Sequence, residues 1–131
     1  MRAMELRGSV RWADADPAGF IYYPRIFDYV GECEWKLLHG VGLAWKDLKD
    51  AYSLPRVHVE CDYRKVMWVG EAFTVKLRVA ELGRTSIRYA FEVFLDSSPA
   101  EAAACGSVTS VVVVGGKPFP IPDDVRAALS S

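Results

Sequence analysis

The sequence has 131 residues, of which 51% are hydrophobic and 25% are charged, and its 16 basic and 17 acidic side chains leave a formal net charge of −1. These values are typical of one globular domain, which we assign to 1–131, and they argue against a protein that holds nucleic acid through bulk charge. We therefore expect no nucleic-acid partner. No apolar run reaches the roughly 18 residues of a membrane span, so we also expect no membrane-spanning segment.

The cysteines and the N-terminal residues indicate a reducing compartment. Cys33, Cys61 and Cys105 are far apart and odd in number, which does not predict a disulfide framework. The first ten residues carry charged side chains and lack the apolar stretch of a signal peptide. We therefore expect a cytoplasmic protein. The sequence also lacks Cys-x-x-Cys and His-Glu-x-x-His spacings, so we expect no metal site.

The N-terminal region predicts a strand and then a loop. Alternation of apolar and polar residues predicts a strand from Glu5 to Ala13, with Leu6, Val10 and Trp12 on one face. The segment 14–23 is rich in Asp, Pro and Gly, which is typical of a loop.

A long amphipathic helix follows this loop. Pro24 is suited to the first helical position, because a missing N–H does no harm there, and Gly40 is suited to the end of the helix. Apolar residues recur between them at spacings of three and four: Ile26, Phe27, Val30, Cys33, Leu37 and Leu38. A shorter helix is predicted from Leu43 to Lys49.

The remainder of the chain is predicted to be mostly strands. Four long segments rich in Val, Tyr, Phe and Thr are predicted to be strands: Leu54–Val66, Glu71–Leu82, Thr85–Leu95 and Ala102–Val114. A helical turn is expected at Pro122–Leu129. One helix followed by a run of strands indicates an α+β fold with an antiparallel sheet. Such a sheet leaves edges to cover, which favours an oligomer.

The loop before the helix carries the residues that could perform chemistry. Asp14 and Asp16 follow the first strand, Pro17 and Gly19 shape the backbone, and the free N–H groups of the helix begin near Pro24. A carboxylate beside a helix N-terminus can act as a nucleophile or general base while the helix end polarises a carbonyl. Aspartates are also common in turns for purely structural reasons, so the residues alone leave both interpretations open.

The segment from Asp14 to Gly19, followed by Tyr22-Tyr23-Pro24 and a long helix, resembles the signature of hotdog-fold acyl-CoA thioesterases. The branch it resembles is the 4-hydroxybenzoyl-CoA thioesterase type, with the related short-chain acyl-CoA thioesterases. The resemblance extends over nearly the whole chain and includes the strand at 62–64 and the turn at 83–86.

The resemblance implies a five-stranded antiparallel sheet wrapped around one long helix, in a homodimer or homotetramer with active sites at the subunit interface. Asp16 would be the catalytic carboxylate, and the backbone N–H of Tyr23 would polarise the thioester carbonyl. Gly19 and Tyr22 would contact the substrate, and Arg84 and Ser86 would contact the pantetheine or nucleotide of CoA. No cofactor or metal would be needed. The alternative is that Arg84 and Ser86 lie on an ordinary solvated strand face and bind no substrate.

One position departs from the family pattern. A 4-hydroxybenzoyl specialist is expected to present an acidic residue on the long helix, and that position is Gly31 here. Asp28 and Glu32 point elsewhere around the helix. A small residue at this position implies room for an acyl chain or a different ring.

The sequence therefore predicts hydrolysis of a small or medium acyl-CoA, aliphatic or aromatic, to the free acid and CoA, with acyl carrier protein as the other carrier to consider. The alternative is a non-catalytic module that binds acyl-CoA or acyl carrier protein. A hotdog hydratase would need a histidine paired with an acidic residue near the start of the helix, and neither His39 nor His58 falls there.

Overall fold

The long helix and the strands occur in the predicted order. In a computed structural model, which describes residues 1–43 and 51–131, the helices and strands have the following bounds: Ala3–Ser9 (β1), Arg25–Gly40 (α1), Arg56–Tyr63 (β2), Ala72–Leu82 (β3), Ser86–Leu95 (β4), Ala104–Val111 (β5), Val113–Val114 (β6), Lys117–Pro118 (β7) and Asp123–Ser130 (α2). Apart from Leu43, the predicted short helix Leu43–Lys49 lies outside the described residues. The predicted C-terminal helical turn corresponds to α2.

Strands β1 to β5 form an antiparallel sheet in the order β1-β3-β4-β5-β2. The predicted α+β class with a five-stranded antiparallel sheet is therefore confirmed. The order leaves β1 and β2 as the two edges, and every residue of β2 is exposed or half-buried. Within residues 1–43 and 51–131, no helix has the length and apolar character needed to cross a membrane.

The core lies between α1 and one face of the sheet. The helix packs against β1 and β3, and the stripe that the periodicity predicted faces inward. The largest buried side chains on both sides include Ile26, Leu37, Phe73, Leu77, Ile87, Tyr89 and Phe91. Each such side chain contributes about 1.5–3 kcal/mol when fully buried, so this interface fixes the position of the helix and of its N-terminus.

The first strand is shorter than predicted. β1 ends at Ser9, and a turn of 3₁₀ helix occupies Trp12–Asp14, where the carboxylate of Asp14 accepts a hydrogen bond from the backbone N–H of Arg11 at 3.0 Å. This local hydrogen bond competes with continuation of the strand. The prediction of a strand through Ala13, with Trp12 on the same face as Val10, is therefore wrong: Val10 is buried, whereas Trp12 is 87% exposed.

β2 and β5 are also shorter than predicted. β2 stops at Tyr63, because the next two N–H groups, those of Arg64 and Lys65, both donate to the carbonyl of Ala103. β5 stops at Val111, and the chain continues into the small β6–β7 hairpin. Gly115 and Gly116 form its two-residue turn with φ of 59° and 78°, a backbone that favours glycine.

Candidate active site

The carboxylate of Asp14 is buried, and both of its oxygens accept hydrogen bonds that hold the loop. Asp14 is 1% exposed and accepts hydrogen bonds from the Arg11 backbone, from the Arg11 guanidinium at 3.2 Å (Nε) and 3.1 Å (Nη2), and from the Tyr29 hydroxyl. Burial alone would raise the pKa of this carboxyl, but the hydrogen bonds from Arg11 and Tyr29 outweigh it and hold the pKa below its usual value. Asp14 therefore joins the end of β1 to α1 and has a structural role.

The carboxylate of Asp16 is placed differently. Its Oδ1 accepts a hydrogen bond from the N–H of Ala18 at 2.8 Å, and within the described part of the chain no donor reaches Oδ2. The backbone around it forms a tight hairpin, in which the Asp16 N–H donates to Phe20 and the Gly19 N–H donates to Asp16. Asp16 thus shapes the turn and still presents one unoccupied carboxylate oxygen.

Gly19 lies near the tip of this hairpin and helps to attach it to the rest of the protein. Its φ of 93° lies in the left-handed region that favours glycine. Its carbonyl accepts a hydrogen bond from Val69, and the next residue, Phe20, packs edge-on against Trp68 with ring centroids 5.5 Å apart. The hairpin is therefore held on two sides, by Asp14 and by the segment at 67–69.

The start of α1 follows within a few residues. The helix begins at Arg25, and Pro24 is its N-cap with helical backbone angles, one residue earlier than the predicted role as first helical residue. No side chain caps this end of the helix. The Tyr63 hydroxyl donates to the carbonyl of Tyr23, and the N–H of Tyr23 has no acceptor among the described residues. Free N–H groups at a helix start carry partial positive charge and can bind an oxyanion.

Two neighbouring depressions surround these groups. Asp16 and Gly19 line a cavity of about 320 Å³ together with Trp12. Tyr23 lines a second cavity of about 290 Å³ with Tyr63 and the cationic pair Arg64 and Lys65. Tyr22 is exposed beside them, with its ring 5.3 Å from that of Tyr23. In the part of the chain that the structure describes, no group of three metal-ligating side chains lies together.

The family follows from comparison with known proteins. The family model described as "Thioesterase-like superfamily" matches residues 10–129. The chain belongs to the thioesterase-like superfamily. The predicted family, hotdog fold and thioesterase class are thereby confirmed.

Individual relatives agree with this assignment. A putative esterase of Aquifex aeolicus is 24% identical over 124 residues, 94% of each chain. A 1,4-dihydroxy-2-naphthoyl-CoA hydrolase of Synechococcus elongatus is 24% identical over 97 residues, 72% of this chain and 71% of its own. The structure of a thioesterase from Thermus thermophilus, solved with coenzyme A and zinc, is similar with a TM-score of 0.83 and 25% identity, covering 96% of this chain and 90% of that one.

The structure does not bring all the predicted site residues of this thioesterase together within one chain. Asp16, Gly19, Tyr22 and Tyr23 lie in one continuous segment at the end of the sheet where β3 starts. Arg84 and Ser86 lie in and after the β3–β4 turn, at the far end of β3. The ten residue steps of β3 separate the two ends by about 30 Å at ~3.3 Å per residue.

One buried ionisable residue was missed by the sequence analysis. Glu34 lies on the inward stripe of α1, is 4% exposed, and accepts a hydrogen bond from Arg56 at the start of β2. The signal was present in the sequence, because Glu34 stands four residues after Val30 and four before Leu38, both of which are buried. A charged residue in an apolar stripe indicates a specific partner or ligand.

Two tyrosines allow the role of Asp14 to be tested. The Tyr29 hydroxyl bonds to Asp14, whereas the Tyr89 hydroxyl is buried without a partner among the described residues. We expect Tyr29→Phe to lower the free energy of unfolding by about 1–3 kcal/mol, because a buried carboxylate loses a donor. Tyr89→Phe should leave it unchanged or raise it. Denaturant unfolding of both variants measures this, and equal losses in the two would contradict the anchoring role of Asp14.

Proposed function

We propose that this chain hydrolyses an acyl-CoA thioester to the free acid and CoA, with Asp16 as the catalytic carboxylate. The observation that carries the proposal is the contrast between the two aspartates. Both carboxylate oxygens of Asp14 accept hydrogen bonds, whereas Asp16 lines a cavity with one oxygen free, a few residues before an uncapped helix N-terminus.

The proposed chemistry uses these two groups on one carbonyl. The N–H of Tyr23 donates to the thioester oxygen and stabilises the negative charge that develops there. The carboxylate of Asp16 attacks the carbonyl carbon directly or takes a proton from a water that attacks it. The carbon–sulfur bond then breaks and CoA leaves as a thiolate that takes up a proton. In the direct route, water hydrolyses the anhydride formed with Asp16 and regenerates the carboxylate. In both routes water supplies the second oxygen of the acid.

The relatives support a CoA ester as the substrate. The Synechococcus relative is named for hydrolysis of an aromatic acyl-CoA, and the Thermus thioesterase was solved with coenzyme A. Arg64 and Lys65, which line the cavity beside Tyr23, supply positive charge suited to phosphate groups. The three cysteines are free, which fits the proposed cytoplasmic setting.

The assignment of Asp16 is tested by turnover. Asp16→Asn keeps an oxygen that can accept from Ala18 but removes the charge, so we expect kcat to fall by roughly 10²–10⁴ while CoA binding is retained. A panel of aliphatic and aromatic acyl-CoAs is assayed by thioester absorbance. Asp28 is an exposed carboxylate in the first turn of α1. Asp28→Asn is therefore the matched control and should leave kcat unchanged.

Either of two outcomes would overturn this account. Turnover that survives in Asp16→Asn would contradict the mechanism. A wild-type protein that binds CoA esters without hydrolysing any of them would favour the alternative of a binding module, with acyl carrier protein thioesters as the next substrates to assay.

We further propose that Arg84 and Ser86 serve the active site of a second copy of the chain in a homodimer or homotetramer. Within one chain they lie at the opposite end of β3 from Asp16, so a shared substrate requires a partner.

The role of Arg84 is tested by substrates with and without the nucleotide of CoA. Arg84→Ala should raise KM for an acyl-CoA severalfold and leave KM for the corresponding acyl-pantetheine unchanged, since only the former carries the nucleotide phosphates. Arg78→Ala, at an exposed position of β3, is the control. A monomer in sedimentation that still shows the Arg84 effect would rule out action across an interface.

A further inference from the structure

A second polar cluster lies further along α1 than the proposed catalytic residues. The Arg56 guanidinium donates to Oε2 of the buried Glu34, and these two residues face a cavity of about 320 Å³. The rest of its wall is mostly apolar and includes Gly31, Trp35, Leu38 and Leu54. A cavity of this size with few polar groups is typical of a site for a small ligand group.

One carboxylate oxygen at this cluster has no protein partner. The Arg56 guanidinium donates to Oε2 of Glu34, whereas Oε1 accepts no hydrogen bond from residues 1–43 and 51–131. Glu34 is 4% exposed and lines the cavity. A buried acceptor without a partner is costly and rare, so a ligand that donates to Oε1 would be favoured.

β2 runs beside α1 from this cluster to the catalytic segment. β2 is attached to α1 at both ends, by the Tyr63 hydroxyl on Tyr23 and by Arg56 on Glu34. Between these contacts Gly31 carries no side chain, and a Cβ there would meet Arg56 Nη2 only at an ordinary 3.7 Å. The absent side chain leaves room between α1 and β2 for an extended group.

Helix geometry gives the length of that group. Glu34 follows Tyr23 by eleven residues, about 16 Å along the axis at ~1.5 Å per residue, and its side chain leans back toward the helix start. An extended chain advances roughly 1.2 Å per bond, so about eight to twelve atoms span the distance.

We propose that this cavity receives the far end of the acyl group and that Glu34, held by Arg56, accepts a hydrogen bond from a hydroxyl at that end. The inference rests on the proposed function and names its substrate class, a medium-chain acyl thioester with a terminal hydroxyl. A hydroxyl both donates and accepts, which matches a carboxylate beside a guanidinium. The ion pair has no net charge, which disfavours an ammonium, and a hydrocarbon end would leave Oε1 of Glu34 without a partner.

Matched pairs of substrates test this proposal. Hexanoyl-, octanoyl- and decanoyl-CoA are compared with the same thioesters bearing a terminal hydroxyl. We expect kcat/KM of the wild-type protein to favour the hydroxylated member about tenfold or more at the longer lengths, because a site built for a hydroxyl rejects an analogue that lacks it. The pair of benzoyl-CoA and 4-hydroxybenzoyl-CoA is too short to reach Glu34 and should show a ratio near one.

Variants assign the preference to Glu34. Glu34→Leu should reduce the ratio to about one while hydrolysis of the plain acyl-CoA is retained, because the acceptor is lost and the Arg56 side chain, which is 43% exposed, can be solvated in its absence. Glu32→Leu, two residues earlier and exposed, is the matched control and should keep the wild-type ratio. If Glu34→Leu does not fold, Arg56→Gln at a half-exposed position is assayed in its place and should lower the ratio as well.

Three results would overturn the proposal: a wild-type ratio near one for every aliphatic pair, a ratio unchanged in Glu34→Leu, or a preference confined to the aromatic pair. Failure of the proposed function is seen separately, as absence of turnover for all substrates. The proposal is then decided by the Kd of non-hydrolysable thioether analogues with and without the terminal hydroxyl, measured on wild type and Glu34→Leu, where the same ratios are expected.

Discussion

The buried carboxylate of Asp14 is the interaction on which the arrangement of the site depends. It accepts hydrogen bonds from the Arg11 backbone and guanidinium, which follow β1, and from the Tyr29 hydroxyl on α1. The sheet and the long helix are therefore joined at the point where the chain leaves one for the other. Because the Tyr22 N–H also donates to the carbonyl of Asp14, the two ends of the intervening hairpin are fixed together.

Two aspartates only two residues apart therefore have different roles. Asp14 is held by so many donors that its charge is compensated in place, whereas Asp16 bonds to its own turn through one oxygen and keeps the other available. The helix that Asp14 holds also supplies the uncapped N-terminus that the proposed chemistry needs. One short loop thus provides the structural aspartate, the proposed catalytic carboxylate and the residues that lead into the helix.

The sequence predicted those parts of the fold that depend on periodic burial. The stripe of α1 is buried as expected, and β3 and β4, predicted from their content of Val, Tyr, Phe and Thr, bury alternate side chains, because apolar area dominates the free energy of those elements. The continuation of β1 through Trp12 was wrong because a hydrogen bond from Arg11 to the Asp14 side chain, invisible to a period-two pattern, ends the strand.

The site was predictable only in part for similar reasons. The spacing of the two aspartates and the helix start could be read from the sequence, but their different hydrogen-bond partners could not. Glu34 was missed because its partner, Arg56, is distant in sequence and is brought to it only by the fold. The separation of Arg84 from Asp16 likewise depends on the direction of β3, which no local pattern contains.

The central claim, that Asp14 holds the loop while Asp16 reacts, is tested most directly by measuring unfolding and turnover together on Asp14→Asn and Asp16→Asn. We predict that Asp14→Asn lowers the free energy of unfolding by about 1–3 kcal/mol and keeps measurable turnover. Asp16→Asn should have a free energy of unfolding within about 0.5 kcal/mol of that of the wild type and should lose turnover. The reverse pattern, with Asp16→Asn the less stable protein and Asp14→Asn the less active one, would contradict the account.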